Sequence, residues 1–200
     1  WPQRPRILEI GCGPGHNLVE IYPTDADLTG VEPDPVNAPI AATRSWRTVH
    51  CCVIEQLPPE VPHLAYDAVC LFDVLEHIED DQAALRIIHS KVKPGGLLAV
   101  AVPAFQWMWG QQDVVSRHYR RYTIGQLRQR IEAAGFAPLR QTYFNTVLFP
   151  PVAALRLLGR LRRSPAAENG DFAQAGRPDN GLFYRLFAGE AGWLRRHGFP

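Results

Sequence analysis

The sequence lacks any bias of charge: 21 Lys and Arg stand against 20 Asp and Glu, a formal net charge of +1. No global field therefore draws the chain to nucleic acid, and any affinity for an anion has to be local. It is also poor in cysteine, and its four thiols form no metal or disulfide pattern. Cys51 and Cys52 are adjacent, Cys12 lies in a glycine loop, Cys70 sits inside an apolar run, and no CxxC pair occurs. His50 beside Cys51 reads as strand filler rather than a ligand, so no metal site is expected. This usage fits a reducing, cytoplasmic setting. No apolar stretch is long enough to span a bilayer, Trp1 to Arg6 show no signal-peptide pattern, and no internal repeat is visible. Because the chain begins almost directly on a strand, a segment upstream of it is expected in the natural protein.

What remains is an ordinary globular composition, 46% apolar and 20% charged over 200 residues, enough for one α/β domain with a sizeable core. Prolines are frequent and cluster near element ends, as at Pro2, Pro5, Pro23, Pro33, Pro35, Pro58 and Pro59. Apolar runs predict strands at Arg6–Ile10, Asp27–Glu32, Thr48–Val53, Tyr66–Phe72 and Gly96–Val102. Their near-continuous apolarity fits strands covered on both faces of a parallel sheet. Helices are predicted at Asn17–Tyr22 and over Asp81–Val92, where Leu85, Ile88 and Val92 have helical spacing before Lys93-Pro94-Gly95-Gly96. Thr123 and Gln126 form a T-x-x-Q capping box, opening a helix through Leu127, Ile131 and Ala134 that closes at Gly135. Pro138–Phe144 alternates like a sixth strand. Val147–Leu161 is apolar nearly all round, which predicts a buried helix of a small cap or, with Arg160, Arg162 and Arg163, an interfacial helix or a lid over an apolar substrate. Ser164–Gly181 reads as a loop and Leu182–Leu194 as a helix. The order predicts a Rossmann-like, doubly wound, mostly parallel sheet with a helical insertion near the C-terminus. Residues 1–144 would be the core and 145–200 the cap.

The strongest motif is Ile7-Leu8-Glu9-Ile10-Gly11-Cys12-Gly13-Pro14-Gly15. Glycines straight after a buried strand let a ligand press against bare backbone. The dinucleotide fingerprint G-x-G-x-x-G places its third glycine one residue later than this chain does. Glu32, ending the second strand, is placed to accept hydrogen bonds from ribose hydroxyls, which suits an adenosine or a dinucleotide alike.

LEIGCGPG, then GVEPDP, LFDVLEHI and KPGGLLAVAVP, in that order from Arg6 to about Phe144, resemble the successive motifs of class I S-adenosylmethionine-dependent methyltransferases. The resemblance implies that Glu9 and the loop residues Gly11, Cys12, Gly13 and Gly15 cradle the methionine and ribose of the cofactor. Glu32 would hold the ribose diol, Pro33 and Ile54 would flank the adenine, and Phe72 and Asp73 would line the sulfonium and amino-acid end. S-adenosylhomocysteine would be the product. Many relatives carry an aspartate where this chain has Val53; Glu55 is a substitute candidate for reading the adenine amino group. Such relatives also end on an antiparallel strand, for which nothing after Trp193 is a candidate, so the natural protein is expected to continue.

If the acceptor is a hydroxyl a base is needed, and His77 is a candidate; Glu76 and His77 could equally just open a helix. A second constellation, Trp107-Met108-Trp109, Asp113, then Arg117-His118-Tyr119-Arg120-Arg121-Tyr122, resembles a bacterial branch of the same superfamily, of the methyltransferase type 11/12-like kind. Trp107, Trp109, Arg117, Tyr119, Arg120 and Arg121 suit an anionic acceptor bearing a ring or acyl chain, and His118 is a second proton-transfer candidate. The alternative is a solvated basic turn capped by core aromatics. The expected function is therefore methyl transfer to a small-molecule or lipid-like acceptor, with peripheral membrane contact through 147–163 and no nucleic-acid partner, since no NPPY-like tetrapeptide follows the fourth strand. A nicotinamide-dinucleotide oxidoreductase and a catalytically silent binding module are the alternatives. No pattern fixes an oligomeric state.

Overall fold

A computed structural model describes residues 2–17, 21–44, 48–161 and 189–197. The chain divides into two compact units, Trp1–Pro103 with Gln129–Ala137, and Ala104–Arg128 with Pro138–Pro200.

The first unit is built on a five-stranded sheet: β1 (Arg6–Ile10), β2 (Asp27–Val31), β3 (Thr48–His50), β4 (Tyr66–Phe72) and β5 (Val92–Ala101). Their order is β3-β2-β1-β4-β5, and every neighbouring pair is parallel. The chain leaves β1 toward one edge and returns to β4 on the other side, so the strand order reverses between β1 and β4. In such a sheet ligands bind outside the carboxyl ends of the strands at that reversal. The central strands are buried on both faces, which is why RILEI and YDAVCLF read as apolar runs without alternation. On one face Ile7, Leu28, Ala68 and Cys70 pack with Cys12, Tyr22 and Ala41, the last from α1 (Asn37–Thr43).

The helix α2 (Asp81–Lys91) turns Ala84, Leu85 and Ile88 fully inward and packs against β4. Burying Leu85 and Ile88 stabilises this layer by about 1.5–3 kcal/mol each. Asp80 caps it, its Oδ1 accepting from the Ala83 amide at 2.9 Å. The buried Asp81 carboxylate pairs with Arg130 at 3.0 Å, and the His89 ring meets Phe136 edge-on at 4.8 Å, tying the 129–137 segment to α2.

The second unit contains α3 (Gln111–Val115), α5 (Phe149–Leu161) and helical residues 189–196. The amide and hydroxyl of Thr146 donate to Glu190 Oε1 at 2.8 and 2.9 Å. Pro150 and Pro151 stand in the first turn of α5, where a missing N–H costs nothing, so they start the helix instead of breaking it. The capping box opens α4 (Ile124–Ala133): the Thr123 amide donates to Gln126 Oε1 at 2.9 Å and the Gln126 amide to Thr123 Oγ1 at 3.3 Å. It closes with Phe136 N–H on the Ile131 carbonyl and Gly135 N–H on that of Glu132.

Several expectations change. Pro138–Phe144 forms no strand among the described residues. Its groups are engaged inside the second unit: Arg140 donates to the carbonyls of Leu194 and His197, and the Tyr143 hydroxyl accepts from the Ile124 amide. Leu139 is left 83% exposed, the opposite of what a buried strand requires. The third strand stops at His50 because Ile54–Gln56 turns into a 3-10 helix. The fifth begins at Val92, since Lys93–Gly96 forms a bulge between the Tyr66–Val92 and Ala68–Leu97 pairs, held by Lys93 on Asp67 at 2.9 Å. Within α5, Ala153 is buried but Leu157 is half-exposed, so its apolar residues do not imply burial all round. Residues 18–20 of the predicted helix Asn17–Tyr22, the loop Ser164–Gly181 and the first part of Leu182–Leu194 lie outside the described residues. No described helix is long and apolar enough to cross a membrane.

Candidate functional site

A cleft of about 450 Å³ opens at the carboxyl ends of the strands flanking the reversal point. Its size falls in the range of small-molecule sites. β1 contributes Ile10 and Gly11, β2 contributes Val31 and then Glu32 and Pro33, and the turn after β4 contributes Asp73, Val74 and His77. The far wall, Cys52 to Glu55, follows β3.

The glycine loop has two different reasons for its glycines. Gly11 has φ +69°, and a Cβ there would lie 2.4 Å from Val74 Cγ2, so backbone conformation and crowding both demand the smallest residue. Gly13 has φ +54° but open space where a Cβ would be, leaving bare backbone for a ligand to approach. The Gly13 amide donates to Glu32 Oε2 at 2.7 Å, and the Asp34 amide donates to Oε1 at 3.0 Å. Glu32 is 7% exposed. Each of its oxygens holds one backbone donor and keeps a lone pair for another, the capacity a vicinal diol needs. Asp73 stands at φ +54°, a conformation that aspartate tolerates better than most residues, with its amide donating to the Ala101 carbonyl at 3.0 Å.

An adenosine bearing a cationic tail fits these residues. Val31, Pro33, Val53 and Ile54 offer apolar contact for a base, Glu32 can take ribose hydroxyls, and Asp73 supplies negative charge at the β4 end. Of the residues expected to hold the cofactor, Gly11, Glu32, Pro33, Ile54 and Asp73 line the cleft, joined by the exposed His77. Glu9, Cys12, Gly13, Gly15 and Phe72 are not among the residues that line it. Glu9 is fully buried, takes a hydrogen bond from Asn17 Nδ2 at 3.1 Å, and has its carboxyl raised by burial. Burial also pushes the Cys12 thiol up to about 12, so it is an inert core group. Phe72 packs against the core. Val74, Ile78 and Glu79 line the cleft without having been singled out; their only signal was adjacency to the end of β4.

In the second unit, the loop after β5 is organised by Asp113, which is fully buried. Its Oδ1 accepts from His118 Nδ1 at 2.9 Å and from Arg121 Nε at 2.7 Å. Its Oδ2 accepts from Arg121 Nη2 at 2.9 Å and the Gly110 amide at 2.8 Å, with Arg156 Nη1 at 4.0 Å. Burial alone would raise this carboxyl, but the hydrogen bonds from Arg121, Gly110 and His118 outweigh it and hold the group below the usual carboxylate range. Arg121 also donates to the Ala104 carbonyl at 3.2 Å, so its guanidinium is committed to the loop. Arg117 is exposed, and Arg120 lies over the ring of the exposed Tyr119 at 5.8 Å. Phe105 stacks on Trp107 and Tyr143 at 5.9 and 4.9 Å, and Phe149 meets Phe105 and Trp107 at 5.4 and 5.7 Å. Trp107 is 44% exposed, and Trp109 is half-buried. Tyr143 and Phe149 lie far from the tryptophans in sequence, and no local signal connects them.

Residues 2–141 match the family described as a methyltransferase domain. A ubiquinone biosynthesis O-methyltransferase of Rhodopseudomonas palustris is 30% identical over 119 residues, 57% of this chain and 46% of that protein. A counterpart from Chromobacterium violaceum is 30% identical over 96 residues, 46% of this chain and 41% of that protein. The chain thus spans under half the length of the curated relatives it matches. Among solved structures, an S-adenosylmethionine-dependent methyltransferase from Mesorhizobium loti superposes with a TM-score of 0.62 at 15% identity, covering 80% of this chain and 88% of that one. Early placement of the third glycine, the acidic residue ending β2 and a cleft at the strand reversal all agree with that match, and together they place the chain in the class I S-adenosylmethionine-dependent methyltransferase family.

Proposed function

We propose that the chain transfers the methyl group of S-adenosylmethionine to an oxygen of a small or lipid-like, anionic acceptor. The observation that carries this reading is the cleft at the strand reversal, where Gly11, Glu32 and Asp73 converge from three neighbouring strands. S-adenosylmethionine, when bound, supplies a methyl group made electrophilic by its sulfonium. The chain's own part is to bind, align and handle a proton. Glu32 takes the ribose hydroxyls, Ile54 and Pro33 flank the adenine, and Asp73 meets the amino-acid end. Most of the rate such a site provides comes from alignment. A hydroxyl acceptor also gives up a proton as its oxygen attacks, and a positioned imidazole takes it. His77 on the cleft wall and His118 on the loop after β5 are the residues for that task.

Oxygen as the acceptor atom rests on the relatives, which are O-methyltransferases by name. The ring cluster around half-exposed Trp107 gives flat apolar surface, and Arg117 and Arg120 give charge for an anionic group. Arg121 is left out because it serves Asp113. Half-exposed Val147 and Leu157 support peripheral contact of a cytoplasmic protein with a lipid surface through 147–163, of which 162–163 lie outside the described residues.

Calorimetric titration with S-adenosylmethionine and, separately, NAD tests the cofactor. Micromolar binding of the former, weakened by Glu32→Ala, is expected; a folded protein that binds neither overturns the proposal. Radiolabelled methyl donor offered with a catechol, a prenylated phenol and an aromatic amine then tests the acceptor. Label confined to the amine refutes oxygen transfer. Flotation with anionic vesicles tests the membrane contact, and a protein that stays at the bottom of the gradient refutes it.

A further inference from the structure

We propose that Asp34 is a positioning residue that fixes the direction of the Glu32 carboxylate, so that the oxygens of Glu32 meet the two hydroxyls of a ribose diol. The inference rests on the reading that Glu32 takes the ribose.

Backbone and side chain of Asp34 have separate partners. Its amide donates to Glu32 Oε1 at 3.0 Å. Its side chain belongs to the start of α1: Oδ1 accepts from the Val36 amide at 2.8 Å and Oδ2 from Asn37 Nδ2 at 3.1 Å. The Asp34 carbonyl accepts from the Ala38 amide at 3.0 Å, a bond that leads into the helix. This is the set of bonds an N-cap makes, and Pro35 takes the next place, where a missing N–H costs nothing. α1 in turn is seated on the core through Ala38 and Ala41, both buried. The donor on Oε1 is therefore referenced to the core through one side chain.

The prolines on either side leave the chain little choice. Pro33 has no N–H, and the amide of Glu32 itself is spent on the His50 carbonyl at 3.0 Å, so the Asp34 amide is the next donor along the chain. Pro35 disfavours helical backbone at Asp34, which suits the extended conformation of an N-cap. The carboxylate thus has the Gly13 amide on Oε2 at 2.7 Å and the Asp34 amide on Oε1. Donors on both oxygens define the plane of the group, whereas one alone leaves it free to swing about that oxygen. With the cap lost, Gly13 still holds Oε2 while Oε1 loses a fixed donor. The effect falls on diol recognition and spares the rest of the cleft. An aspartate that served only to start α1 would leave diol recognition untouched.

The test uses the full-length protein and calorimetric titration with S-adenosylhomocysteine and with its dideoxy counterpart, which lacks both ribose hydroxyls. In Asp34→Ala the Kd for S-adenosylhomocysteine should rise about fivefold, the size of one net hydrogen bond, while that for the dideoxy ligand stays within about twofold. Asp34→Asn keeps an N-cap acceptor without the charge and should bind both ligands as wild type does. Asn37→Ala removes only the prop on Oδ2, serves where Asp34→Ala does not fold, and should show the same selectivity at about twofold. Equal weakening of both ligands in either alanine variant, or no weakening in either, overturns the inference. So does Asp34→Asn binding as poorly as Asp34→Ala, which would make the residue a charge instead of a prop. Amide hydrogen exchange without ligand reads the same contact: protection at residue 34 should fall about fivefold in Asp34→Ala, and unchanged protection overturns the proposal. A wild type that does not distinguish the two ligands, with protection lost in Asp34→Ala, refutes the ribose reading of Glu32 and leaves the positioning of its carboxylate standing.

Discussion

Replacing Gly11 by alanine separates two costs that the glycine loop hides. The new Cβ would sit 2.4 Å from Val74 Cγ2 and 3.2 Å from Cγ1, on a backbone held at φ +69°. The left-handed conformation costs an alanine about 1–2 kcal/mol. Forcing Val74 out of its place adds about 1–3 kcal/mol of overpacking. For a chain of this size the total lowers Tm by roughly 4–20 °C. Val74→Ala in the same molecule removes the crowding but not the backbone strain, so the two substitutions should couple favourably by about 1–3 kcal/mol. Gly13→Ala is the contrasting case, since nothing lies within 4 Å of its added Cβ. It should cost only the conformational part in stability, yet weaken S-adenosylmethionine binding, because only a ligand can meet the new methyl. Thermal melts and calorimetric titration of the three single variants and the Gly11–Val74 double variant decide it. Additive effects of Gly11→Ala and Val74→Ala, or Gly13→Ala binding the cofactor as wild type does, would refute the reasoning.

Glu32→Ala removes two charge-assisted hydrogen bonds to the backbone. Melts without ligand should therefore show a stability loss of about 1.5–3 kcal/mol for each bond that water fails to replace. Glu9→Gln should raise stability at neutral pH. Burial lifts the folded Glu9 carboxyl above its ordinary 4.5, so the native state binds its proton more tightly and the wild type loses stability as pH rises from 4.5 through the folded value. Denaturant titrations across that range should show the decline in wild type and its absence in the variant. Thr123→Ala deletes one half of a capping box whose reciprocal bonds are both present, and should cost about 1 kcal/mol.

Those features that depend on neighbours in sequence were legible before the structure. β1 and β4 occupy the ranges their apolar runs predict, because burial on both faces removes the alternation that would otherwise blur their ends. The Thr123 box is written into four consecutive residues, and the places of Gly11, Glu32 and Asp73 on the cleft follow from where strands stop. Features that depend on remote partners were not legible. The alternation in Pro138–Phe144 is real, but Arg140 and Tyr143 are spent on Leu194, His197 and Ile124, which no local pattern announces. The bulge at Lys93–Gly96 looks like a helix stop until Asp67, on the neighbouring strand, is seen to hold it. Asp113 stood in a recognisable cluster, yet its role required knowing that its oxygens face His118 and Arg121 from a fully buried position. Of that cluster, Arg121 and His118 are engaged by Asp113 inside the loop, while Arg117 is exposed.

The carboxylate of Glu32 clamps the Gly13 amide from across the strand gap, a contact made wholly within the chain. Ordering of this part of the cradle is thus tied to folding. Ordering a loop residue costs about 1–2 kcal/mol of conformational entropy, and here that cost falls on the folding equilibrium instead of on association. Preorganisation of this kind lets a ligand arrive at a shape already waiting for it. It also links the two equilibria: any change that loosens the clamp weakens the fold and the grip on the ligand together, through one side chain.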